Sequence, residues 1–192
     1  MNTIKDKITN GFRPELYALA AENAERDNAK ENKLPPVHLW DPEFCGDIDM
    51  RIRRDGSWNY MGTPINRKRM VRLFSTILRC DDEKYYLVTP TEKVGIRVDD
   101  APFVAVEMGV EEGYILFKTN LGDYVRADMD HQIRIVINSE TSEPSPYVRV
   151  RDNLDALLSR SVYYQLADMV VEHEGIYGVW SGNMFFPLDG SK

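Results

Sequence analysis

Residues 45–60 read C-G-D-I-D-M-R-I-R-R-D-G-S-W-N-Y and set the plan for the rest of the chain. Ile48, Met50 and Ile52 alternate with charged residues, and such alternation predicts a strand that has one apolar and one charged face. The strand is followed by Asp55-Gly56, a dipeptide typical of tight β-hairpin turns. We therefore expect a β-hairpin to begin the first sheet of the protein.

A helix is expected directly after this hairpin. Asn66 is a good N-cap residue, and the apolar positions that follow it recur at the spacing of a helix that buries one side. We expect this helix to run to about Arg79 and a strand to follow over Tyr85–Thr89. The apolar positions are Met70, Leu73, Phe74, Ile77 and Leu78.

The middle of the chain predicts a β-rich meander, because short alternating segments are separated by turn residues. The last third predicts a long helix, capped by Asp152 or Asn153 and reaching Val170, followed by a closing hairpin of Ile176–Trp180 and Asn183–Phe186. The meander strands are expected over Lys93–Val98, Phe103–Val110, Tyr114–Thr119, Tyr124–Ala127 and His131–Ile137.

The opening plan recurs later in the chain. Arg51 matches Arg134 at an offset of 83 residues, and Leu73-Phe74 matches Leu157-Leu158 at an offset of 84. We expect an α+β protein with two related lobes that arose by duplication, each with a strand, a hairpin, a helix and a strand. The predicted domains are an N-terminal helix and linker over 1–35, a first lobe over 36–95 and a β-rich second lobe with a long C-terminal helix over 96–192.

The 192 residues are 43% hydrophobic and 29% charged, an ordinary balance for a globular protein that excludes a disordered chain. The sequence has neither an apolar run of about 18 residues nor a signal-peptide core, so we expect a cytoplasmic protein without a membrane span. Its two cysteines, Cys45 and Cys80, lack the spacing of a metal or redox motif and are expected to be reduced. A redox-sensing role for Cys45 stays open.

The charge is distributed unevenly. The net charge of −7 argues against extended nucleic acid as a partner. Residues 51–79 nevertheless carry eight Lys/Arg against one acid, Asp55. A basic island on an acidic chain suits a compact anion such as a phosphate-bearing small molecule. The open alternative is that these cations form a solvated helix face, paired with acids elsewhere in the chain.

A ligand site is predicted from arginines and aromatic residues. Arginine binds phosphate in a bidentate manner, and aromatic rings stack on bases, so we expect an anion at arginine side chains with a ring beside it. An internal salt-bridge network that holds the two lobes together and uses the late arginines is the open alternative. The predicted ligand-binding residues are Asp49, Arg51, Trp58, Arg149, Arg151, Arg160, Tyr163 and Trp180.

Asp47 and Asp49 share a strand face, as the carboxylates of a metal-dependent hydrolase would. Arg51 and Arg53 follow on the same face and would neutralise both carboxylates, so a ladder of charges is the competing interpretation. The three histidines lie far apart in the sequence, which contains no nucleophile signature, dinucleotide fingerprint or metal-ligand spacing. We expect no cofactor, no bound metal and no catalytic residue.

Several longer motifs resemble one bacterial family. From about residue 36 onward the chain is similar to proteins catalogued as domain of unknown function 1285. The motifs that carry the resemblance are His38-Leu-Trp-Asp-Pro, Cys45-Gly-Asp-Ile-Asp-Met-Arg-Ile, Asp55-Gly-Ser-Trp-Asn-Tyr, Gly62-Thr-Pro-Ile, Leu87-Val-Thr-Pro, Asp100-Ala-Pro-Phe, Tyr147-Val-Arg-Val-Arg, Ser161-Val-Tyr-Tyr, Val179-Trp-Ser-Gly and Phe185-Phe-Pro-Leu.

The resemblance implies a duplicated α+β core whose second lobe is similar to pleckstrin-homology-like folds. It also implies a groove between the lobes that suits a nucleotide-like molecule in a signalling role, and it brings neither an activity nor a catalytic residue. We therefore expect a small-molecule-binding protein with a regulatory role. Two alternatives stay open: a metal-dependent hydrolase acting through Asp47 and Asp49, and a protein-interaction module that uses the β-rich lobe.

Overall fold

The computed structural model describes residues 34–137 and 140–190. The chain divides into two compact units between Asp99 and Asp100, and each unit contains a six-stranded sheet. The protein is therefore an α+β protein with two sheet domains. The N-terminal helix expected within 1–35 lies outside the described residues, which begin at Leu34.

The first unit begins with a short 3-10 helix, Val37–Leu39, and then forms one sheet and one helix. The sheet has the strand order β3-β2-β1-β6-β5-β4; β1 is antiparallel to β2 and parallel to β6. Its elements are β1 (Phe44–Ile52), β2 (Trp58–Tyr60), β3 (Thr63–Pro64), α1 (Lys68–Thr76), β4 (Leu78–Asp81), β5 (Lys84–Val88) and β6 (Lys93–Val98).

The expected hairpin is confirmed. Met50 and Ile52 pair with Tyr60 and Trp58 across β1 and β2, and the apolar side of the hairpin is buried. The ring of Trp58 stacks on Phe74 of α1, with 6.2 Å between ring centroids. One face of the first sheet thus forms a core with α1, and the alternating charged residues of β1 are left on the opposite face.

The helix ends earlier than expected, at Thr76 instead of Arg79. The Thr76 hydroxyl donates to the Leu73 carbonyl at 2.7 Å, and the β-branched Ile77 that follows adopts a non-helical φ of −105°. Leu78 then begins β4 and pairs with Leu87 of β5. The apolar spacing does not mark the end of the helix, because Ile77 belongs to the turn and Leu78 to β4. Both side chains are buried, as are those of Leu73 and Phe74 in the helix.

The second unit contains the other six-stranded sheet and a separate three-stranded sheet, in the order β13-β14-β15. The strands predicted for the middle third are confirmed to within two residues at each end, and so is the closing hairpin. The elements are β7 (Phe103–Glu111), β8 (Tyr114–Thr119), β9 (Tyr124–Arg126), β10 (Ile133–Ile137), β11 (Pro144–Arg151), β12 (Leu154–Leu158), α2 (Arg160–Ala167), β13 (Val171–His173), β14 (Ile176–Ser181) and β15 (Met184–Pro187).

The long C-terminal helix predicted from Asp152 is wrong. Its first part is the strand β12, which lies between β11 and β7 and is buried on both faces, so its apolar run resembles the stripe of a helix. Only α2 is helical, capped by the Ser159 hydroxyl, which accepts from the Val162 amide at 3.4 Å. Among the described residues no helix is long and apolar enough to cross a membrane.

The two large sheets share one topology. Read from the other edge, the second sheet has the order β9-β8-β7-β12-β11-β10, and its first strand β7 is parallel to its last strand β12, as β1 is to β6. The residue matches at offsets of 83 and 84 are wrong, because Arg51 lies on central β1 and Arg134 on edge strand β10. Leu73-Phe74 is helical, whereas Leu157-Leu158 belongs to a strand. In topology β1 corresponds to β7.

The division between the two units lies a few residues after the boundary expected at residue 95. The expected boundary would cut β6, whose residues pair with both β1 and β5 of the first sheet. The first unit therefore extends to Asp99.

Candidate functional site

One face of the first sheet is lined with charged side chains where β1 and β6 meet. Alternation places every second residue of β1 on this face, and the parallel register sets Asp47 beside Gly95 and Arg51 beside Arg97. We call this surface the charged face. It consists of Asp47, Asp49, Arg51, Gly95, Arg97 and Asp99.

The charges of this face pair across the two strands. Arg97 donates from Nη2 to Asp49 Oδ1 at 3.2 Å, and Arg51 donates from Nε to Asp99 Oδ1 at 2.6 Å. The hydrogen bond and the negative charge of Asp99 raise the pKa of Arg51 above its ordinary value. A ladder of charges therefore exists, but it runs between β1 and β6 and not along β1 as the sequence suggested.

A depression of about 780 Å³ lies on the charged face. The Asp47 carboxylate lies across Gly95, and a Cβ at position 95 would overlap Asp47 Oδ1, so the missing side chain is what allows the close approach. In the described part of the chain neither Asp47 nor Lys84 has an ion-pair partner. The polar and charged residues that line the depression are Asp47, Asp49, Glu83, Lys84, Tyr85, Tyr86, Arg97 and Asp99.

One side of the depression is fixed by an ion-pair cluster on β4–β6. Lys93 donates to Asp81 Oδ2 at 2.8 Å, and Arg79 Nε donates to the same oxygen at 2.9 Å. Burial alone would raise the pKa of Asp81, but the two donors outweigh it and lower that pKa below its ordinary value. Lys93 Nζ also lies 4.1 Å from the centroid of the Tyr86 ring, which keeps this ring in place beside the depression.

The second unit has a denser charge cluster of its own. Asp155 accepts from Arg149 Nε at 2.5 Å and from Arg134 Nη2 at 2.6 Å. The Arg134 guanidinium lies 4.7 Å from the Tyr147 ring, and the Tyr147 hydroxyl donates to Asp100 Oδ1 at 2.6 Å. Arg149 is therefore a member of an internal salt-bridge network within the second unit, one part of the alternative considered from the sequence.

Arg151 is also held by its own unit. Its side chain is only 17% exposed, lies 4.9 Å from the centroid of the Phe103 ring, and approaches Asp123 Oδ1 at 3.8 Å. Burial lowers the pKa of Arg151, while the charges of Asp123 and Asp152 act in the opposite direction. This guanidinium is packed into the unit and is poorly placed to receive a ligand.

The predicted stacking residues lie in different places. Trp58 is 1% exposed in the core and lies on the opposite side of the first sheet from Arg51, so its predicted role beside a ligand at Arg51 is wrong. Trp180 is 40% exposed on the three-stranded sheet, with its ring 4.9 Å from His173 and 5.2 Å from Phe185.

Two further predicted residues lie on α2. Arg160 is exposed, whereas Tyr163 is half-buried, and its ring stacks on Tyr164 with 6.5 Å between centroids. Of the eight predicted ligand-binding residues, the structure brings Asp49 and Arg51 together on the charged face of the first unit. Within the second unit Arg149 and Arg151 remain neighbours on β11.

The residues of the depression that sequence reasoning missed include Lys84, Gly95 and Arg97. A signal was present, because positions 93, 95 and 97 alternate with apolar residues in K-V-G-I-R-V and belong to one face of a strand. The pairing of β6 with β1 joins distant parts of the chain, however, and no local pattern predicts it.

The hydrolase alternative gains little from the geometry. Asp47 and Asp49 both line the depression, but Asp49 is bound to Arg97. Among residues 34–137 and 140–190, no three His, Cys, Asp or Glu side chains come close enough together to hold a metal ion. A hydrolase that uses the two aspartates stays a prediction.

Two family models match consecutive parts of the chain. Residues 35–101 match the domain of unknown function (DUF1285), N-terminal domain, and residues 102–188 match the protein of unknown function (DUF1285), C-terminal domain. The chain belongs to the DUF1285 family. The junction of the two models lies within two residues of the division between the two units.

Two solved structures are similar to this chain. A DUF1285 family protein from Silicibacter pomeroyi DSS-3 is 52% identical, with a TM-score of 0.78 over 82% of this chain and 88% of that one. A DUF1285 family protein from Shewanella baltica OS155 is 27% identical, with a TM-score of 0.51 over 62% of this chain and 90% of that one. A search of curated proteins finds no match.

Proposed function

We propose that this protein binds a small charged molecule in the depression on the charged face. The observation that carries the proposal is a concave site of about 780 Å³ whose lining offers both carboxylates and cations. Small-molecule sites commonly have volumes of roughly 300–1,000 Å³, so the depression is large enough for a nucleotide-sized ligand.

Because the depression contains cations, we expect the proposed ligand to carry at least one anionic group. Arg97 is 69% exposed at its side chain and Asp49 is 53% exposed. An ion pair this exposed contributes only about 0–1 kcal/mol, so an incoming phosphate can replace Asp49 as the partner of Arg97 at low cost. Lys84 forms no ion pair within the described residues, so an anion would not have to displace a carboxylate there. The predicted phosphate-bearing ligand is therefore assigned to Lys84 and Arg97 instead of Arg149, Arg151 and Arg160.

Three finer expectations belong to the same proposal. A signalling role and the pleckstrin-homology-like character of the second unit rest on the family resemblance. Descent of the two units from one duplicated ancestor is supported by their shared strand order. The expected position of a ligand between the two lobes stays a prediction.

A thermal-shift screen tests the proposal. The probes are inorganic phosphate and the mono-, di- and triphosphates of adenosine and guanosine. A true ligand at about a hundred times its Kd raises the free energy of unfolding by about 2.7 kcal/mol, which corresponds to a rise in Tm of roughly 5–10 °C.

The variant Lys84→Ala/Arg97→Ala should lose most of that rise in Tm. Lys118→Ala is the matched control, because Lys118 also forms an exposed ion pair, with Glu107 of the second unit. The proposal fails if none of the probes shifts Tm, or if the double variant and the control respond like the wild type.

A further inference from the structure

The solvent side of α1 is a cationic surface separate from the charged face. Four cations lie within six residues at the start of this helix, and all four are exposed. The segment from Gly56 to Cys80 contains no acidic residue. We call this surface the basic helix surface. It consists of Arg67, Lys68, Arg69 and Arg72.

These cations work against the stability of their own helix. The first turn of α1 carries no acid, and the N-cap Arg67 makes no capping hydrogen bond through its side chain. Positive charge at a helix N-terminus opposes the macrodipole, and like charges three or four residues apart repel by a few tenths of a kcal/mol. Arg69 and Lys68 both stand in that relation to Arg72. The helix is held by its buried side, with Val71 and Phe74 in the core.

The cations on the sheet of the same unit differ from those of the basic helix surface in their ion pairing. On the sheet, Arg51, Arg79, Lys93 and Arg97 each pair with a carboxylate. In the described part of the chain, Arg67, Lys68 and Arg72 have no such pair. Within the described residues, the fold therefore pairs these four cations of the sheet and leaves Arg67, Lys68 and Arg72 without a carboxylate partner.

We infer that the basic helix surface docks an acidic segment of a partner protein. An arginine guanidinium can bind a carboxylate through two parallel hydrogen bonds. Arg67 and Arg72 place two such guanidinium groups five residues apart in the sequence. The protein has a net charge of −7 in spite of this surface. A net negative charge disfavours an extended polyanion such as nucleic acid, whereas a short acidic segment needs only the basic helix surface. The inference is independent of the ligand proposed for the depression.

A peptide-binding titration tests this inference on the full chain. The probe is a fluorescently labelled, glutamate-rich peptide of about a dozen residues, with its scrambled glutamine analogue as reference. We expect binding that weakens steeply as salt rises from about 50 to about 200 mM, because the attraction is between exposed charges.

Arg67→Glu/Arg72→Glu should weaken the Kd at least about tenfold, whereas the control Lys118→Glu/Arg126→Glu, which makes the same change of charge in the second unit, should weaken it less than about twofold. Thermal melting guards against simple misfolding. Acids at the start of α1 suit the macrodipole, so the first variant should melt at or above the wild-type temperature while losing the peptide.

Three outcomes would overturn the inference. The first is equal loss of peptide binding in the control variant, which would mean that overall charge is responsible. The second is tighter binding of anionic lipid vesicles or of a single-stranded oligonucleotide than of the peptide. The third is sedimentation of the protein alone as an oligomer that Arg67→Glu/Arg72→Glu dissociates, which would make a second copy the occupant.

Discussion

The polar sides of the two six-stranded sheets carry the same residue types in different surroundings. In the first sheet, Asp49 and Arg97 face each other with more than half of each side chain exposed. In the second sheet, Asp155 is only 12% exposed at its side chain and is held between Arg134 and Arg149. A shared topology therefore does not decide whether a charge is structural. Burial and the number of partners decide it.

The sheets also agree in one detail of register. On the edge strand of each sheet an arginine faces a tyrosine of the next strand, Arg79 opposite Tyr86 and Arg134 opposite Tyr147. The helices differ in their position along the chain. In the first unit α1 comes between β3 and β4, whereas in the second unit α2 comes after β12, the last strand of the six-stranded sheet. The common part of the two units is therefore the sheet and not the strand-hairpin-helix-strand plan.

The largest expected effect tests whether the two units are separate energetic bodies. Phe74 and Phe103 are both fully buried, one in each unit. Phe74→Ala and Phe103→Ala should each lower the free energy of unfolding by about 3–5 kcal/mol, because each leaves a large cavity. Hydrogen exchange should rise within residues 44–98 for the first variant and within 103–187 for the second. If either variant raised hydrogen exchange equally in both units, the prediction that the units unfold separately would be contradicted.

A smaller effect tests the contrast between the polar sides directly. Asp155→Asn should cost about 2 kcal/mol, because it leaves Arg134 and Arg149 without their shared carboxylate in a largely buried position. Asp49→Asn removes an exposed pair and should cost less than about 0.5 kcal/mol. Urea unfolding of both variants measures the difference. Similar costs would mean that the two networks are equivalent.

The smallest expected effect is on the free energy of unfolding at low pH. Because the pKa of Asp81 is lowered in the folded protein, this carboxylate stabilises the fold above its unfolded-state pKa of about 3.9, and the contribution disappears as the pH falls through the lower folded-state value. Asp81→Asn should therefore cost less than about 1 kcal/mol at neutral pH and nothing measurable well below pH 3.9. A cost that persists in strong acid would show that Asp81 acts through packing and not through charge.

The sequence predicted those parts of the fold that depend on neighbouring residues. Alternation at Ile48, Met50 and Ile52 and the Asp55-Gly56 turn determine the first hairpin locally, and the strands of the middle third follow in the same way. The predicted end of α1 and the predicted helix at β12 were wrong for related reasons. At the end of α1, the buried residues Ile77 and Leu78 belong to the turn and to β4. At β12, the apolar run of a strand that is buried on both faces resembles a helix stripe.

The candidate site was harder to predict than the fold. Asp47, Asp49 and Arg51 were placed correctly on one face by the period of the strand. Arg97, the partner of Asp49, lies on β6, and Asp99, the partner of Arg51, follows β6 directly. Pairing between distant strands depends on the tertiary structure. The late arginines were predicted as anion ligands from their residue type, which cannot indicate that Asp155 already occupies one of them.

The parallel pairing of the first and last strand in each sheet sets the sequence of events in folding. β1 can complete its pairing only after β6 has been made, and β7 only after β12, so the centre of each sheet depends on the most distant contacts in its unit. Closing such long loops costs entropy before any central contact is gained, which slows folding. On the ribosome β1 would therefore carry an unpaired edge until Val98 emerges. We expect the middle of each sheet to form last, which makes a nascent chain that stops short of β6 the species most prone to aggregate.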